Sequence, residues 1–171
     1  MLLTSGANYG FRRTIPHMLG ITLGFAVMVI LVGVGIVQIF DAWPLSYVLL
    51  KYTSITYLLF LAYKIATAKP GSASKADTSR PFSFVQASLF QWVNPKAWTM
   101  ALTSLSVYSP NQDMQSILIV SLVFAVVNLP SVSLWALIGK QMQRWLGSAQ
   151  RLRIFNISMA VMLVASLIPA L

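Results

Sequence analysis

The chain has 171 residues, 57% of them hydrophobic and only 9% charged, with a mean hydropathy of +0.75, whereas soluble domains are about one-quarter charged. This make-up specifies an all-α, polytopic membrane protein whose partners include the lipid bilayer, and the formal net charge of +9, scattered through short gaps between apolar runs, makes no continuous face for nucleic acid. The absence of cysteine excludes disulfides and thiolate chemistry, and one histidine with three acids is too small a set of ligands for a metal centre, so neither metal nor cofactor is expected.

Met1 to Thr14 is mildly apolar, ends in Arg12 and Arg13, and is too short to cross a bilayer alone. Pro16 to Phe40 then carries no charge beyond His17 and reads as a retained span, longer than a signal-peptide core. Within it Gly20 and Gly24 share a helical face, a spacing that lets helices approach closely and also allows a homo-oligomer. Asp41 to Pro44 reads as a turn, and Leu45 to Thr67 as the second span, with Trp43, Tyr47 and Tyr52 suited to headgroup level and Lys51 and Lys64 able to snorkel.

Residues 69–81, rich in Ser, Lys, Gly and Pro, form a loop that divides one translocator domain into two halves: 1–68 with two spans and 82–171 with three. The third crossing, Phe82 to Tyr108, contains Gln91-Trp92-Val93-Asn94-Pro95-Lys96. Pro95 falls roughly 20 Å along the helix axis from Phe82, nearer the middle of a ~30 Å hydrocarbon core than either rim. Proline removes a donor and clashes with the preceding turn, which predicts a broken helix whose flanking carbonyls and amides lack intrahelical partners. After the turn at Ser109 to Asp113 comes an uncharged run from Met114 to Gly139, where Asn128-Leu129-Pro130 repeats the theme more weakly. Lys140 to Arg153 reads as a basic amphipathic connector, and Ile154 to Leu171 as a fifth span.

With five alternating spans, ten of the twelve basic residues fall on one side and Asp41 and Asp113 on the other. The loop 69–81 is therefore expected in the cytoplasm and the C-terminus outside. Lys51 and Lys96 are the exceptions, and Lys96 has no carboxylate in any span to pair with. It can snorkel, take the carbonyls freed by Pro95, or meet an anionic ligand. In the third case, the amino end of the half-helix after Pro95 and Lys96 would hold a carboxylate, and the carbonyl end before Asn94 would receive an ammonium group. Gln91 and Asn94, one turn apart, add amide groups. Gln91, Asn94, Pro95, Lys96 and Asn128 are thus the expected substrate path. No base lies near an intramembrane serine and no acid pair is present, which argues against an enzyme.

Three stretches carry a family resemblance: Ser5-Gly6-Ala7-Asn8-Tyr9-Gly10-Phe11-Arg12-Arg13 leading to Gly20, Leu61-Ala62-Tyr63-Lys64-Ile65-Ala66, and Gln91-Trp92-Val93-Asn94-Pro95-Lys96-Ala97. In this order, and over nearly the whole chain, the sequence resembles the LysE/RhtB-type amino-acid exporters of the bacterial inner membrane. The resemblance implies a small secondary carrier that exports amino acids or close derivatives, built as six helices in two inverted three-helix repeats. In that family a first hydrophobic segment with a Pro-Gly-Pro motif precedes a stretch like Leu2 to Arg13, so the resemblance also implies that the first helix is lacking here. The alternative reading is a truncated, non-transporting membrane protein with a packing or scaffold role.

Overall fold

Residues 1–68 and 80–166 are described by a computed structural model, and every regular element among them is helical. Helix α1 (Leu2–Tyr9) meets α2 (Phe11–Gly33) at Gly10, whose φ of +77° is a conformation that glycine reaches without steric cost. Short α3 (Ile36–Ala42) and long α4 (Leu45–Ala66) follow. Beyond the loop come α5 (Phe84–Trp92), α6 (Pro95–Tyr108), α7 (Met114–Trp145) and α8 (Ala149–Ala165). Helices α2, α4 and α7 are each long and apolar enough to cross a bilayer, and α5 and α6 follow one another across a break at Val93 and Asn94. The chain is a polytopic helical membrane protein.

Several boundaries differ from the sequence reading, each for a local reason. The first long helix starts at Phe11 and carries Pro16 inside it; it ends at Gly33, and Gly35 (φ +99°) redirects the chain into α3. The stretch before it is a folded helix, with Thr4, Ser5, Gly6, Ala7 and Asn8 all buried. At the other end there is no separate basic connector. Charged residues do not end a helix, so α7 runs through Lys140 and Arg144 to Trp145. The break falls at Leu146 to Ser148, where the Ser148 hydroxyl accepts from the Arg151 amide and starts α8. Apart from Arg80 and Pro81, the expected loop lies outside the described residues, as does the end of the last span.

Small residues set the closest helix contacts. A Cβ on Gly20 would lie 2.4 Å from the Phe84 carbonyl oxygen, and one on Gly24 2.6 Å from Ser88 Cα, so α2 and α5 touch backbone to backbone. The Ser88 hydroxyl donates to the Gly20 carbonyl across this seam (3.1 Å). Helix α1 is seated against α7 in the same manner, through Gly6 beneath Ala136 and Gly139 beneath Leu3. The main core joins Phe25, Met28, Val29 and Val32 of α2 to Ala97, Ala101 and Leu105 of α6 and to Ile117 and Val120 of α7. Ala62 and Ile65 of α4 pack against Ala160 of α8. Large apolar residues such as Val126, Leu134 and Val161 point outward, as lipid-facing positions do.

Candidate functional site

The site is built around the interruption between α5 and α6. Helix α5 begins with a capping box: the Ser83 hydroxyl accepts from the Gln86 amide (3.2 Å) and the Gln86 side chain accepts from the Ser83 amide (3.1 Å). The Ser-x-x-Gln spacing is visible in the sequence and fixes the start two residues after the expected Phe82. Nine residues later the helix stops. Asn94 is extended (φ −99°, ψ 106°), and Pro95 opens α6, where its missing N–H costs nothing.

The peptide groups at the break are met mostly by capping and side-chain groups, while the Val93 carbonyl finds no hydrogen-bond partner among the described residues. Asn94 Oδ1 accepts from the Lys96 amide (3.2 Å), and the Asn94 carbonyl accepts from the amides of Ala97 and Trp98. The Trp92 carbonyl accepts from the Trp98 indole (2.8 Å), whose ring meets that of Trp92 edge-on at 5.8 Å. Trp98 therefore fastens one half-helix to the other, a role that goes beyond packing. What remains for a ligand is the Val93 carbonyl and side-chain chemistry, together with the partial positive charge at the start of α6.

That chemistry converges on one cavity of about 290 Å³ between α2, the break and α7. Gln91, Asn94, Lys96 and Asn128 all line it; Pro95 does not. Gly20 and Gly24 lie on the α2 seam beside it, and their neighbours Ile21 and Phe25 form its wall. Gln91 is buried and spends its amide N–H on the Ala87 carbonyl (3.0 Å), leaving Oε1 as an acceptor. Asn94 spends Oδ1 and leaves its NH₂ group. The Lys96 ammonium has no hydrogen-bond or ion-pair partner among the described residues, and no acid lines the cavity. Phe25 and Phe124, with ring centroids 5.3 Å apart, supply an apolar surface, and Ser131 a hydroxyl, neither of which the sequence reading identified. Only the pairing of α2 with α7 reveals them.

The lining offers a cation, amide donors, a carbonyl acceptor and an apolar wall, a set suited to binding a small zwitterion. Comparison with known proteins points the same way. The LysE type translocator model matches residues 1–166. Proteins named cysteine/O-acetylserine efflux protein from Escherichia coli (strain K12), Shigella flexneri serotype 5b (strain 8401) and Shigella sonnei (strain Ss046) are each 31% identical to the chain over 170 residues, covering 96% of it and 83% of the relative. No solved structure matches. A match over almost the full length, with its Asn-Pro-Lys stretch at the break between α5 and α6, makes the chain a member of the LysE type translocator family.

Proposed function

We propose that the protein is a secondary carrier that exports a neutral amino acid or a close derivative across the bacterial inner membrane. The observation that carries this reading is the meeting of Gln91, Asn94, Lys96 and Asn128 on one cavity at an interrupted crossing. The Lys96 ammonium and the Asn94 amide receive the substrate carboxylate, strengthened by the partial positive charge of the α6 amino end. Gln91 Oε1, at the carbonyl end of α5, accepts from the substrate ammonium. Phe25 and Phe124 take a short side chain, and the lack of a lining acid disfavours cationic ones. Discontinuous helices at the midplane build substrate sites of this kind in many carriers.

Cysteine and O-acetylserine, which appear in the names of the relatives, are neutral zwitterions of suitable size and are the first substrates to test. We further place residues 69–81 in the cytoplasm and the C-terminus outside, because the basic residues cluster on that side, and read residues 1–68 and 82–171 as the two halves of one translocator domain. The test is efflux from preloaded cells or proteoliposomes. Expression should speed efflux of one of these compounds, and Lys96→Ala should return it to the empty-vector rate while the protein still inserts. Efflux that persists at the original rate in Lys96→Ala would overturn the assignment.

A further inference from the structure

A second polar cavity lies away from the break, between α1, the start of α2, the end of α4 and the segment leading into α5. Its inner part is small, about 50 Å³, and is lined by Thr4, His17, Lys64, Arg80 and Phe82, with Met1 on one wall. A wider cavity of about 360 Å³ shares Tyr9, Lys64, Ala68, Arg80 and Pro81 with it, so the two are contiguous. At the inner end His17 is 1% exposed and Thr4 4% exposed, yet His17 Nδ1 and Thr4 Oγ1 have no hydrogen-bond partner. Buried polar atoms are nearly always paired, and two orphans lining one cavity indicate an occupant. The charge there has one sign: Lys64 and Arg80 line both cavities, and no acid does so among the described residues.

Aromatic rings hold the lysine in place. Its ammonium sits 5.6 Å from the Phe60 ring centroid and 5.7 Å from that of Phe82, and the His17 ring meets Phe82 edge-on at 5.1 Å. An ammonium over the face of an aromatic ring is attracted by the ring's quadrupole. Two cations, a hydroxyl and an imidazole around a space of a few water volumes match a carboxylate, with the guanidinium able to bind it through two parallel bonds.

We propose that this cavity is a carboxylate-binding vestibule, separate from the break, where the amino acid docks before it reaches Lys96. The inner part takes the carboxylate and the wider part takes the rest of the molecule. The two stations are close along the chain, since His17 precedes Ile21 of the central cavity by one helical turn, about 6 Å. The role as a vestibule rests on the carrier reading; the carboxylate site itself does not.

The chain has no cysteine, so a single introduced thiol is a unique reporter. Ala68→Cys places one where both cavities meet, and Thr67→Cys, in the wider cavity only, serves if the first variant folds poorly. The full chain in phosphatidylcholine nanodiscs is labelled with an anionic methanethiosulfonate sulfonate, with or without acetate, L-serine, acetamide or L-serinamide. The two carboxylates should slow labelling about tenfold at a concentration about ten times their Kd, and the two amides should not. Lys64→Gln combined with Arg80→Gln should abolish the protection. Equal protection by the amides, or protection that survives loss of both cations, overturns the proposal. So does slowing by phosphatidylglycerol alone with nothing added by acetate, which would assign the site to a lipid headgroup. Protection without efflux would remove the carrier reading and keep the carboxylate site; efflux without protection would do the reverse.

Discussion

The side-chain amides of Asn8 and Asn156 hydrogen-bond to each other in both directions, at 2.8 and 3.0 Å, although 148 residues separate them. Both are buried, and Asn156 also donates to the Ala68 carbonyl at the end of α4 (3.2 Å). One reciprocal pair thus ties α1, α4 and α8 together near the vestibule. Replacing either partner with leucine leaves the other amide buried and unpaired, at a cost of about 1–2 kcal/mol, the range expected for polar contacts between membrane helices. Thermal unfolding in detergent should show the two single losses, and the double variant should lose less than their sum. Strict additivity would show that the pair does not act as a unit.

The α2–α5 seam should tolerate no side chain. Gly24→Val would drive a branched Cβ into the Ser88 backbone, 2.6 Å from the ideal Cβ position, and should destabilise the protein by about 2–3 kcal/mol as overpacking does. Gly147→Ala meets only the Arg144 carbonyl at 3.6 Å and should leave the melting temperature nearly unchanged. Comparable melting of the two variants would refute this account of the seam.

The caps at the break can be separated from its ligand chemistry. Asn94→Asp keeps an acceptor for the Lys96 amide but loses the free NH₂ group, so it should retain stability and weaken substrate binding. Asn94→Ala should lose both, with a stability cost of about 1 kcal/mol. Efflux kinetics and thermal melts on the two variants distinguish these outcomes.

Acid should loosen the start of α7. The Ser116 hydroxyl and then the Ser116 amide donate to the Asp113 carboxylate, at 2.7 and 2.9 Å, and hold its pKa below the ordinary value. A carboxyl depressed in the folded state contributes stability that is fully present above its unfolded pKa of about 3.9 and is lost as pH falls through the lower folded value. Asp113→Asn keeps a neutral cap. The gap in melting temperature between the native chain and Asp113→Asn should therefore narrow as pH drops from 6 to about 3; a gap that widens would contradict the sign.

The interruption at Asn94-Pro95 was legible in the sequence because proline breaks helices by covalent geometry, whatever surrounds it. Of the five residues singled out there, Gln91, Asn94, Lys96 and Asn128 line one cavity and Pro95 does not, and the spacing of Asn128 gave no sign of which helix it would face. Helix α1 was not legible as a buried element, since its Thr, Ser, Gly and Asn carry no hydropathy signal and are buried through close backbone contact with α7 and the amide of Asn156. The two halves of the amide pair could not be matched, because nothing local links positions so far apart. The Trp98 indole was missed for a related reason: its partner is a main-chain oxygen, and main-chain oxygens look alike in every sequence.

If the protein works as the carrier proposed above, that indole bond limits how it can move. With the Trp92 carbonyl already taken by Trp98, and Asn94 tending the amides beyond it, the two half-helices behave as a braced elbow. Alternating exposure would then come from tilting whole helices past one another along their glycine-lined contacts, and the bend itself would travel as freight between the two orientations, keeping its angle throughout.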